Sequence, residues 1–243
     1  MRYFIKLAYK GTHYHGWQMQ PNANSVQEVL TEALSKLLKT TVAITGAGRT
    51  DSGVHAREMY AHFDFDSLID AAPLVHRLNS FLPKDIVVYD IMKVDAAAHA
   101  RFDAVKRTYE YHIHTTKDVF ENDGSYYFWT PLVVSKMNAA CELLMKHTDF
   151  ECFSKVNTDV GTFNCVIFDA HWKQEANKIV FTITADRFLR NMVRAIVGTM
   201  LTIGAEKISL ADFESILASK DRKRAGFSVP AHGLYLTKVE YEL

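Results

Sequence analysis

Gly46-Ala47-Gly48-Arg49-Thr50-Asp51-Ser52-Gly53-Val54-His55-Ala56 is the stretch on which the reading of this chain turns. Thr41–Thr45 before it reads as a short strand and Met59–Phe65 after it as another, so the loop joins two sheet elements and sits in a rigid frame. Three glycines, at 46, 48 and 53, bracket Arg49 and Asp51. Glycine admits conformations and close approaches that a Cβ forbids, so such a loop can bring a ligand near its main chain. A carboxylate is a weak nucleophile or base until its surroundings activate it, and Arg49 is placed to hold Asp51 ionised and oriented. The same residues also read as a Gly-rich turn with a salt bridge at its tip, because short glycine patterns recur by chance.

Upstream, residues 2–9 alternate with Tyr3, Ile5, Leu7 and Tyr9 on one face, the period of a strand. Tyr9 to Gln20 is loop-like and rich in glycine and aromatics. Its rings either stack on bases or plug one end of the core. Ser25–Lys39 reads as a helix, with Ser25 and Glu28 in a capping-box pattern and Val26, Val29, Leu30, Ala33, Leu34, Leu37 and Leu38 at helical spacing. Downstream of the glycine loop, 71–81 reads as a helix and Asp85–Lys93 as a strand, with Pro83 as the break between them.

The second half opens with a strand over Lys106–Thr115, in which Arg107, Tyr109, Tyr111 and Ile113 share a face and Thr108, Glu110, His112 and His114 the other. Tyrosine suits half-buried sheet positions, so Tyr109 reads from its setting as core. Residues 116–131 form a loop with a turn at Asp123-Gly124, and Ser135–His147 an amphipathic helix through Met137, Ala140, Cys141, Leu144 and Met145. Strands near 163–173 and 178–186 form a hairpin turning at Ala176-Asn177. Leu189–Ile203 is a strongly apolar helix with Gly204 as its stop. Arg194 lies at the flank of its stripe, where a guanidinium either snorkels to water or is partly buried and needs a carboxylate. A short helix over Ser209–Ser219 and a strand over Gly233–Glu242 complete the chain. Both halves follow a similar order of strand, helix and strands. The pattern predicts an α+β fold of two related subdomains, 1–104 and 105–243, sharing an extended mixed or antiparallel sheet with helices on one side.

Composition restricts the function classes. The 28 basic residues balance the 28 acidic ones, so bulk charge gives no signal for a nucleic-acid partner, and binding would depend on local placement. Arg49, Arg57, Arg77, Arg101, Lys106, Arg107, Lys155, Arg187, Arg190 and Arg194 are candidates for such a surface. Three cysteines, without C-x-x-C spacing, suggest neither a disulfide framework nor a zinc site, and point to a reducing cytoplasm. Among the 11 histidines, none has H-x-x-x-H spacing on a predicted helix, so no metal site is expected. Arg2 and Lys6 interrupt any signal-peptide pattern, and the uncharged run near Ala195–Ala205 is too short to span a bilayer, so no membrane association is expected.

Arg49-Thr50-Asp51-Ser52-Gly53-Val54-His55-Ala56 resembles the R-T-D-x-G-V-H-A signature of the TruA family of tRNA pseudouridine synthases. Further resemblances follow in the family's order: Y-x-G-x-x-Y-x-G-W-Q-x-Q at Tyr9–Gln20, A-R-F-x-A at Ala100–Ala104 with R-x-Y-x-Y at Arg107–Tyr111, Asp149–Ser154, M-V-R-x-I-V-G at Met192–Gly198, and Gly233–Leu236. The chain departs from the family at Thr162-Phe163-Asn164-Cys165, where many members carry a basic residue, so the phosphate contact expected there lacks its basic side chain. The resemblance implies two halves around a central active-site cleft. It implies isomerisation of uridine to pseudouridine at positions 38 to 40 of the tRNA anticodon stem-loop. Asp51 falls at the catalytic aspartate, Arg194 at the arginine that pairs with it, and Tyr109 at the tyrosine that contacts the target uridine; Arg49 is expected in substrate binding beside Asp51. No cofactor is needed, and a homodimer is implied. Two rivals are a phosphate-cradling transferase, which lacks a G-K-[ST] ending and a metal-binding carboxylate cluster, and a catalytically silent RNA-binding protein, against which Asp51, Arg194 and Tyr109 together argue.

Overall fold

In chain order the protein forms β1 (Arg2–Tyr9), α1 (Val26–Leu38), β2 (Ile44–Gly46), β3 (His55–Asp64), α2 (Ala71–Phe81), β4 (Ile86–Val94), β5 (Ala104–His114), β6 (Tyr126–Tyr127), α3 (Val134–Met145), β7 (Ile167–Glu175), β8 (Lys178–Ala185), α4 (Met192–Gly204), α5 (Leu210–Ser219) and β9 (Leu234–Tyr241). These elements come from a computed structural model that describes residues 1–155 and 161–242. Strands pair in both senses, so the class is α+β with mixed sheet, as the sequence predicts. The chain divides into two compact units: Met1–Val105 together with the strand from Tyr235, and Lys106–Leu234. Among the described residues no helix is long and apolar enough to cross a membrane.

In the first unit β1 lies between β3 and β4, antiparallel to both. β2 pairs with the far end of β3 (Ile44↔Phe63), and β9 runs parallel to its beginning (His55↔Tyr235, Ala56↔Leu236). Ser25 caps α1 by accepting from the Glu28 amide at 3.2 Å, and Val26, Leu30, Ala33 and Leu34 form the buried stripe that the spacing predicts. Burying each of the larger of these stabilises the unit by about 1.5–3 kcal/mol before entropy is counted. β1 departs from simple alternation, since Phe4 is as buried as Ile5 and Leu7. Phe4 packs with Ala98 and Ala100, flanked by Tyr60, Met92, Val94 and Tyr241, so the segment after β4 folds under the second face of the sheet.

In the second unit β8 is antiparallel to both β5 and β7, and β6 adds parallel to the end of β5. The β7–β8 hairpin turns through Ala176 at φ 53°, one of few non-glycine residues in the left-handed region. β7 begins at Ile167 rather than near 163, because Phe163 and Asn164 pair instead with Asp149 and Phe150. α4 begins at Met192 because Asn191 takes φ 67° and cannot continue a helix backward. Its burial exceeds a stripe: every residue except Arg194 and Thr202 is buried. Residues 226–229 run across the helix, where an added Cβ on Gly198 would lie 1.8 Å from the Phe227 carbonyl oxygen. Side chains secure that crossing, with the Gly226 amide donating to Thr199 Oγ1 at 2.8 Å and Asn191 Nδ2 to Ser228 Oγ at 2.6 Å.

Candidate active site

Asp51 stands at the first position of a tight turn whose Val54 amide donates to the Asp51 carbonyl at 3.1 Å. Gly53, third in the turn, takes φ +79°, as a type II turn demands. The segment after β1 braces the loop on both sides of Asp51. Tyr9 Oη and Thr50 Oγ1 share a buried hydrogen bond of 2.8 Å, and the Trp17 amide donates to the Thr50 carbonyl at 3.4 Å. The Gly53 amide and Ser52 Oγ both donate to the Tyr14 carbonyl, at 3.2 and 3.3 Å. Gly16 makes this approach feasible: it sits at φ +87°, and a Cβ there would lie 2.2 Å from the Thr50 carbonyl oxygen.

β3 starts at His55, several residues earlier than its apolar run suggests, so the V-H-A end of the motif is already strand. His55 is fully buried and accepts at Nδ1 from the Gly11 amide at 2.9 Å, which leaves the ring's proton on Nε2. It stacks on Tyr235 at 4.6 Å, and the Arg57 guanidinium lies 5.1 Å from that same ring. Tyr14 and Trp17 are buried, so the aromatic stretch is largely packing, while His13 and His15 remain exposed. The Tyr14 hydroxyl donates to Asp85 at 2.7 Å, and burial together with that carboxylate pushes the phenol well above its usual range. Arg49 is exposed and has no hydrogen bond or ion pair among the described residues. The loop amides of Ala47, Gly53 and Val54 are all consumed internally, by Tyr60, Tyr14 and Asp51 carbonyls, so they are not available to cradle a phosphate.

In the second unit Tyr109 lies on β5 opposite Ile183 of β8, half-buried, with its ring edge-to-face on Phe188 at 5.1 Å and 88°. Arg107, two residues earlier, donates to the Asp186 carbonyl at 2.8 Å. The Asp186 carboxylate in turn accepts from the Val166 amide at 2.8 Å and the Arg187 amide at 2.7 Å. Arg194 is half-buried near the start of α4; its Nε donates to the Val229 carbonyl at 2.7 Å, and the Val229 amide donates to the Arg194 carbonyl at 3.2 Å. Asn164 is exposed, its amide bonded to Thr162 Oγ1 at 3.1 Å.

Asp51 and Arg49 thus share one loop of the first unit, and Tyr109 and Arg194 belong to the second. Sequence reasoning missed the supports of these residues: Tyr9, Tyr14 and Gly16 behind the aspartate loop, and Phe188 and Asp186 beside Tyr109. The signal for the first group lay in Tyr9–Gln20, whose glycines mark close backbone approach; the second group carried none. Outside these groups, His62 is buried, accepts at Nδ1 from the Ala100 amide at 3.1 Å and meets His99 at 4.5 Å. Burial, with His99 and Arg2 adding, lowers its pKa to about 4. Burial likewise pushes the thiols of Cys141, Cys152 and Cys165 up to about 12, so all three are poor nucleophiles.

A family model described as tRNA pseudouridine synthase matches residues 6–103 and 140–242, which include Arg49, Asp51 and Arg194 but not Tyr109. A protein of Porphyromonas gingivalis named tRNA pseudouridine synthase A is 52% identical over 244 residues, covering 99% of this chain and 97% of its own. Its namesake in Bacteroides fragilis is 51% identical over 242 residues, covering 99% and 96%. That of Bacillus subtilis is 39% identical over 246 residues, covering the whole of both chains at 100%.

Proposed function

This chain belongs to the tRNA pseudouridine synthase family and is an isomerase that converts uridine to pseudouridine in tRNA, and from that premise we propose that it acts at positions 38, 39 and 40 of the anticodon stem-loop with Asp51 as its nucleophile. The observation that carries the assignment of Asp51 is the state of its loop. Hydrogen bonds with Tyr9, Tyr14 and Trp17 hold Thr50 before it and Ser52 and Gly53 after it. A carboxylate carried on a loop so held is the group the reaction needs.

The isomerisation breaks the bond between uracil N1 and ribose C1′, turns the base and joins C5 to C1′. C5 gives up a proton and N1 gains one, so no electrons are exchanged and no group is donated. Asp51 attacks a ribose or a base carbon and later departs, which divides one difficult barrier into two. Arg194, whose Nε donates to the Val229 carbonyl, is the second catalytic residue in this reading, as its place in Met192–Gly198 implies. Extracting the target nucleotide from the stacked stem-loop costs a few kcal/mol, and stacking on Tyr109 returns about 1–3 kcal/mol. Arg49, exposed beside Asp51, holds a phosphate or fills the space the base vacates.

The chain works as a homodimer in the cytoplasm. A single neutral chain offers limited basic surface for a whole tRNA, and two copies share the load. The test is wild-type protein with unmodified tRNA transcript, chelator present and no added cofactor, read by position-resolved detection of pseudouridine. Product confined to the anticodon stem-loop is expected; no product on any tRNA would overturn the reading. Light scattering at micromolar protein tests the dimer.

A further inference from the structure

We infer that Phe188 is a positioning residue for the reaction, holding the ring of Tyr109 at a fixed angle so that one face is presented to the target base. The inference rests on the proposed role of Tyr109. The chain leaving β8 makes a turn at Asp186, and four hydrogen bonds pin it: the carboxylate accepts from the Val166 and Arg187 amides, the Asp186 amide donates to the Val166 carbonyl at 3.1 Å, and Arg107 reaches across from β5 to the Asp186 carbonyl. Paired threonines, Thr108 and Thr184 at 2.9 Å, lock the same stretch of β5 to β8. Phe188 projects from this clamped turn and meets the Tyr109 ring nearly at right angles, 88° at 5.1 Å.

An edge-to-face partner restricts how a half-buried tyrosine can tilt, and a base-stacking ring works only when its face is presented squarely. The chain from this turn leads on to α4, which begins at Met192.

The test uses full-length protein and unmodified tRNA transcript, with single-turnover rates and tRNA affinity for wild type, Phe188→Leu, Phe188→Tyr, Tyr109→Leu and the Phe188→Leu/Tyr109→Leu double variant. Thermal melts check folding, and Arg107→Gln, which removes the hydrogen bond to the Asp186 carbonyl, serves if Phe188→Leu does not fold, with a lowered rate again expected. Phe188→Leu is expected to lower the rate on the order of tenfold with affinity changed less than about twofold. Phe188→Tyr restores most of the rate, and Phe188→Leu adds nothing once Tyr109 is Leu. A wild-type rate in Phe188→Leu, or an equal penalty in the Tyr109→Leu background, would overturn this inference alone. Full activity of Tyr109→Leu would overturn the role of Tyr109 and the inference with it.

Discussion

Replacing Gly16 by alanine probes how the loop of Asp51 is held without changing a residue of that loop. Gly16 takes φ +87°, a conformation that costs an L side chain about 1–2 kcal/mol. The added Cβ would lie 2.2 Å from the Thr50 carbonyl oxygen and 3.1 Å from the Asp51 carbonyl carbon, whereas ordinary contact starts at 3.4 Å. Both neighbours are backbone, so no side chain can swing aside, and either the brace or the loop must retreat by roughly 1 Å. The strain and the weakened Trp17–Thr50 and Tyr14–Gly53 hydrogen bonds together amount to about 2–4 kcal/mol. A displacement of that size in a positioned nucleophile lowers the chemical rate on the order of 100-fold. The expected result is therefore a Tm lower by roughly 5–10 °C and a single-turnover rate, measured well below that Tm with saturating enzyme, reduced by two orders of magnitude at nearly unchanged tRNA affinity. Gly16→Ala with wild-type turnover would refute the claim that the Tyr9–Gln20 segment positions Asp51.

Gly198→Ala is expected to destabilise the second unit by about 3 kcal/mol or more, because the Cβ would meet the Phe227 carbonyl oxygen at 1.8 Å, and hydrogen exchange in α4 would report it. His62 makes stability depend on acid: with its folded pKa near 4, below the unfolded value near 6.5, the unfolded chain binds more protons between those limits. Stability should accordingly be full above about pH 6.5, fall by roughly 2–3 kcal/mol as pH drops to 4, and level off below; His62→Gln, compared by melting across that window, should show a shallower fall. Arg194→Met should slow the chemical step on the order of 100-fold or more while tRNA affinity changes several-fold at most, as single-turnover kinetics against filter binding would show.

Much of this architecture is legible in the sequence because it is local. Ser25 and Glu28 mark the start of α1, Ala176-Asn177 the β7–β8 turn, and both reflect hydrogen bonds and dihedrals within a few residues. Boundaries set by distant contacts are not legible. Phe163 and Asn164 look like strand, yet they pair with residues 149–150 instead of joining β7. α4 reads as a one-sided apolar helix because its second cover, residues 226–229, lies far along the chain. Met145, placed on the apolar stripe of α3 by spacing, is 37% exposed as the last residue of that helix. The candidate site divides in the same way. Asp51, Arg49, Tyr109 and Arg194 carry motif signals, whereas the Tyr9–Thr50 hydrogen bond and the Phe188–Tyr109 contact join residues whose proximity only folding creates.

The central claim is that Asp51 supplies the nucleophile, and Asp51→Asn tests it most directly, since the change keeps the shape of the side chain and removes its charge. Single-turnover pseudouridine formation on unmodified tRNA, resolved by position, should fall below detection for this variant while its melting curve and tRNA affinity stay close to wild type. Pseudouridine formed by Asp51→Asn in the anticodon stem-loop at a rate near that of wild type would contradict the account.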